Sequence, residues 1–82
     1  MRVPHDLRDE FPQETAFIEQ LTGSSHEFRN FVTRYDEINL TIFRIESEQE
    51  PTTDEVLERL KKRRLKLKDT IAAMLWELEH RM

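Results

Sequence analysis

Residues 57–78 read LERLKKRRLKLKDTIAAMLWEL, and their spacing decides the fold. Leu57, Leu60, Arg64, Leu67, Ile71, Met74 and Leu78 recur at alternating steps of three and four. That period belongs to one face of a helix packed along another helix. Only Arg64 breaks the apolar series. Upstream, residues 28–45 (FRNFVTRYDEINLTIFRI) carry a matching series: Phe28, Phe31, Tyr35, Ile38, Ile42 and Ile45. Between the two lies Glu50-Pro51-Thr52-Thr53, where Pro51 biases its predecessor away from helix.

Two matched seams joined by a short turn predict two helices folded back on each other. Capping signals bound them. Ser24 stands three residues before Glu27, and Thr52 three before Glu55. In such boxes each side chain satisfies a backbone N–H left free at the helix start. The expected helices span residues 25–47 and 53–80. Folding about the turn should bring Ile45 near Leu57, Ile42 near Leu60, Ile38 and Tyr35 near Arg64 and Leu67, Phe31 near Ile71, and Phe28 near Met74. A short N-terminal helix is expected over residues 12–22, with Pro12 at its first position and Gly23 as a left-handed stop. A loose turn over residues 6–10 precedes it. Phe17, Ile18 and Leu21 on its apolar side should cover Phe28, Leu75 and Trp76. The expected fold class is therefore all-α: an antiparallel two-helix coiled-coil hairpin with a short N-terminal helix, one helical domain over residues 1–82.

Composition agrees. Of 82 residues, 37% are hydrophobic and 37% charged, with one Gly, three Pro and no Cys. So few turn formers favour helices over a sheet. A lone Gly excludes a Gly-rich phosphate loop, and the lack of Cys excludes disulfides and thiolate chemistry. The longest apolar run, residues 71–76, is far below the ~20 residues of a membrane span. Nothing in the sequence directs the chain out of the cytosol, so a cytoplasmic setting is expected. His5, His26 and His80 have no second ligand at helical spacing, and no nucleophile–base constellation can be assembled. No catalytic residue, cofactor, metal or small-molecule substrate is expected, and the reading is non-enzymatic.

What remains off the seams points to partners. Leu40, Phe43, Leu65 and Trp76 are candidate interface residues, either scattered surface hydrophobes or a second surface for self-association or a partner helix. Charge is divided unevenly. Residues 1–50 hold 5 Arg against 11 Asp and Glu, while residues 51–82 hold 8 Lys and Arg against 6 acids. Seven cations crowd residues 59–68, where no acid occurs. Arg59, Lys62, Arg63 and Lys66 are candidate anion contacts, as in a nucleic-acid-associated accessory protein. The competing reading is a solvated face paired with Asp36, Glu37, Glu46 and Glu48, and with Glu55 and Glu58 one turn earlier. A net charge of −4 disfavours a polyanion. Within the seam, Arg64 should lay its stem along the apolar stripe and send its head to solvent or to Asp36 and Glu37. Alternatively it fixes register at a cost in stability, so that Arg64→Leu would stabilise the fold and blur its association. Tyr35 needs a partner for its hydroxyl, with Arg64 and Lys68 in reach.

These residues also resemble a family. Leu7, Phe11-Pro12, Ile18, Leu21, Phe28, Tyr35-Asp36-Glu37-Ile38, Ile42 and Glu46 are similar to the YdcH-like family of small bacterial proteins, a domain of unknown function. The most specific part is Leu60-Lys61-Lys62-Arg63-Arg64-Leu65-Lys66-Leu67-Lys68-Asp69, and the likeness covers residues 6–75. It implies a helical hairpin in the bacterial cytosol and brings no activity, cofactor or site residue.

Overall fold

The computed structural model describes residues 3–81. All regular elements among them are helical: α1 Leu7–Glu10, α2 Thr15–Ser24, α3 His26–Glu46 and α4 Asp54–Glu79. The long axis of 46 Å is set by α4, whose 26 residues alone extend about 39 Å.

The caps explain where each element starts, and they sit one residue later than the boxes read in the sequence. The Ser25 hydroxyl accepts from Phe28 N–H at 3.2 Å, and Thr53 accepts from Val56 N–H at 3.2 Å. With Phe28 and Val56 in the third helical position, neither cap is reciprocated by a glutamate. Gly23 is not a left-handed stop. It lies inside α2, and no Gly among the described residues has a positive φ. Ser25, in extended conformation, alone links the two helices, ending α2 by donating to the Leu21 carbonyl while starting α3. A one-residue link leaves no place for a left-handed turn.

The N-terminal region also differs from expectation. Residues 7–10 are a helical turn of their own, capped by Asp6, whose carboxylate accepts from Arg8 N–H at 2.9 Å. Pro12 lies in the turn that follows, where its carbonyl accepts from the Thr15 hydroxyl at 3.2 Å, so α2 begins three residues late.

After α3 the chain turns through a Schellman motif. Gln49 N–H donates to the Arg44 carbonyl at 2.8 Å and Glu48 N–H to the Ile45 carbonyl at 3.0 Å. The left-handed position falls on Glu48, at φ 60°. A side chain there costs about 1–2 kcal/mol, part of which glycine returns through its unfolded-state entropy. Glu48→Gly should therefore raise stability by about 0.5–1 kcal/mol, read as a higher urea midpoint with unchanged m-value.

Leu7, Ile18, Phe28, Tyr35, Ile71 and Leu75 form the buried core, so every helix contributes. Phe11, Phe17, Leu21, Phe31, Val32, Leu67 and Met74 pack around it. The most extensive helix contact is between α3 and α4. Full burial does not follow the seams residue for residue. Asn39 is buried and Ile38 only half-buried; Leu75 is buried and Met74 half-buried. The N-terminal segment packs on one flank of the α3·α4 pair, and burial rotates toward that flank. Trp76, expected under the N-terminal helix, stays outside at 60% exposure.

Candidate interaction site

Two polar seam residues and one neighbour grip the N-terminal segment. The buried Tyr35 hydroxyl donates to the His5 carbonyl at 2.5 Å. Asn39 Nδ2 donates to the Pro4 carbonyl at 2.9 Å, and Asn39 Oδ1 accepts from Arg64 Nη1 at 3.0 Å. Arg64 thus reaches Asn39 rather than solvent, Asp36 or Glu37, and Tyr35 bonds to backbone rather than to Arg64 or Lys68. Glu10 closes the clasp, with its carboxylate 3.0 Å from His5 Nδ1 and 3.4 Å from Lys68 Nζ. Burial, reinforced by the negative charge of Glu10, pushes the Tyr35 hydroxyl up to about 12, so it remains a donor throughout the neutral range.

The clasp was hard to see in sequence. Pro4 and His5 act through carbonyls, which every residue possesses. Asn39 sits one place off the 3-4 seam, and its one signal is an amide four residues after Tyr35, flanked by Ile38 and Leu40.

Glu10 makes this region acid-sensitive. Its carboxyl lies below the ordinary 4.5, chiefly through the hydrogen bond with His5, with Lys68 assisting and burial opposing. A carboxyl depressed on folding adds stability above its unfolded value, lost as pH falls through the folded one. Between pH 6 and pH 3, amide exchange over residues 7–10, corrected for intrinsic rate, should therefore lose protection. Glu10→Gln should flatten that change.

The four candidate interface residues divide into pairs. Leu40 and Phe43 are half-buried, whereas Leu65 and Trp76 are 57% and 60% exposed. Leu65, Ala72 and Trp76 fall within about 20° of one direction around α4, a stripe about 16 Å long. The Trp76 indole stacks on His80, with ring centroids 4.2 Å apart and planes 20° from parallel.

The four candidate anion contacts, Arg59, Lys62, Arg63 and Lys66, are all exposed. Among the described residues none of them makes an ion pair. Of the acids expected to pair with this run, only Glu46 does so among the described residues, with Lys61 at 3.2 Å, while Lys68 pairs with Glu10 instead. Spacing brings Glu55 and Glu58 alongside Arg59 and Lys62, yet side chains this mobile gain little by closing such pairs in water. Arg63 and Lys66 join Arg34 at the rim of an open cleft of about 560 Å³ floored by Phe31, Ile38 and Leu67. Glu37 is the acid at that rim.

The histidines are dispersed: His5 in the clasp, His26 opening α3 and His80 ending α4. No group of three or more His, Asp or Glu side chains among the described residues could hold a metal ion. No helix among them is long and apolar enough to cross a membrane.

A long helix pair with a clasped N-terminal segment defines a small all-helical protein. Residues 28–75 match the model of a family described as protein of unknown function (DUF465), and the chain belongs to that family. The resemblance to YdcH-like proteins is consistent with this assignment. No match is found among curated proteins or among solved structures.

Proposed function

We propose that this chain is a non-enzymatic helical hairpin, acting in the cytoplasm, that docks a helix along the outer face of α4. In this reading α3 and α4 run antiparallel. The support is that successive cross-contacts advance in opposite senses: Glu46 with Lys61, Asn39 with Arg64, and Glu27 beside the same cleft as Met74 and Glu77. The observation that carries the docking reading is the bare Leu65 and Trp76 on one stripe. Large apolar side chains aligned on an otherwise charged helix are what a partner helix buries. No cofactor or small-molecule substrate enters the reading.

A photo-crosslinking residue placed at position 65 tests it in cells. Adducts should form from position 65 and not from the exposed Arg44 on α3. No adduct from position 65 would overturn the reading.

A second reading is favoured by the four cations without ion pairs, which suit an anionic partner such as nucleic acid. Gel retardation with bulk RNA and DNA separates the two. Under the docking reading neither is retarded at physiological salt. Retardation abolished by Arg63→Glu with Lys66→Glu would favour the second.

A further inference from the structure

We propose that the helix docked on the Leu65, Ala72 and Trp76 stripe is α4 of a second copy of this chain, laid antiparallel across it. The inference rests on the docking reading above and names its partner.

The stripe is self-complementary when turned end for end. A twofold axis near residues 70–71 places Leu65 on Trp76 of the other copy, and does so twice. Ala72, beside the axis, has a small side chain and lies opposite Asp69 of the other copy, an exposed carboxylate on the same side of α4 that limits how tightly the helices close there. The indole is held by its stack on His80, which fixes its orientation before association and lowers the entropy cost of burying it.

Charge selects both the partner and its direction. Lys61 and Lys62 lie at one end of the stripe, Glu77 and Glu79 at the other. Lys61 already holds Glu46, whereas Lys62, Glu77 and Glu79 make no ion pair among the described residues. Antiparallel superposition sets Lys62 against Glu79 of the other copy, at both ends. Parallel superposition would set cations against cations. A nucleic acid, or any partner of uniform charge, matches one end and is repelled by the other. The stripe is short, so the contact belongs among small interfaces, and association should be weak and concentration-dependent.

The test is sedimentation equilibrium with tryptophan emission recorded in parallel. Trp76 is the only tryptophan, so its emission reports this surface directly. The apparent mass should rise from 10.0 kDa toward twice that value as concentration rises from about 10 μM to about 1 mM, with a matching blue shift. Leu65→Ser should hold the chain monomeric with unchanged helicity. Lys62→Glu and Glu79→Lys should each weaken association alone, and an equimolar mixture of the two should restore it, because every cross-pair is then opposite in sign. A chain that stays at 10.0 kDa throughout overturns the inference. So does a dimer indifferent to Leu65→Ser, and failure of the mixture to recover overturns the antiparallel pairing. A monomer that still crosslinks another protein from position 65 loses the second copy but keeps the docking reading. A monomer without adducts loses both.

Discussion

Phe28→Ala should remove about 3–5 kcal/mol of stability, the largest effect expected of a single substitution in this chain. Phe28 is completely buried, in a cluster with Leu7, Ile18, Tyr35, Ile71 and Leu75. Those residues come from all four helices, so the ring joins the N-terminal segment to the α3·α4 pair. Its removal forfeits the transfer free energy of the aromatic ring. It also opens a cavity that two backbone-rigid helices cannot close. A domain of this size has a total of only about 4–12 kcal/mol. The loss is thus a large fraction of the total, and at the lower end of that range it brings the variant to its unfolding midpoint at room temperature. Urea titration followed by helical circular dichroism measures this. A loss below about 1 kcal/mol would show that Phe28 is not a centre of the core.

Arg64→Leu should destabilise the fold by about 1–3 kcal/mol, opposite in sign to what the seam pattern alone implies. An arginine in an apolar series looks like an imperfection that leucine would correct. The guanidinium instead satisfies Oδ1 of Asn39, which is 4% exposed and whose Nδ2 is committed to the Pro4 carbonyl. Leucine would leave that oxygen buried without a donor, and the cost of an unmet buried acceptor exceeds the modest gain of a half-buried aliphatic side chain. The double variant Asn39→Leu with Arg64→Leu distinguishes this cause from lost packing. With the amide gone, the orphaned oxygen is gone too, and the double variant should be less destabilised than the two single losses added together. Additive losses would mean that the Arg64–Asn39 bond contributes nothing.

The contrast between seam and clasp shows what was legible in the sequence. Residues 25–47 and 53–80 were expected to be helical, and α3 and α4 differ from those bounds by one residue at each end. Hydrophobic period is a local signal that survives folding nearly unchanged, and the caps form one residue later than read, at Ser25 and Thr53. Leu65 is likewise legible as unburied, because it lies off the seam of α4 and away from the N-terminal helix, whereas Trp76 is not, because that helix is expected to cover it. Leu40 and Phe43 looked equally bare but are half-covered. The N-terminal segment determines this, because it turns burial toward one flank of α3. Its own sequence gives little warning: residues 3–10 contain one large apolar residue, Leu7, and no helical period. Asn39 is hidden in the sequence for the same reason, since its role depends on the Pro4 carbonyl, delivered from 35 residues away.

The clasp takes hold of Pro4 and His5 by their backbone oxygens, and this separates spelling from measure. The two hydrogen bonds ask only for a backbone carbonyl at each place, although His5 also holds a left-handed φ of 63° and sends its ring to Glu10. What the arrangement cannot tolerate is a change in count. Leu7 must reach its buried seat two residues after the His5 oxygen is caught, and Glu10 must meet Lys68 three residues later. One residue inserted between His5 and Leu7 would force a choice between hydrogen bonds and core. The segment from Pro4 to Glu10 is therefore gauged like a ruler, by distance along the chain as much as by its lettering.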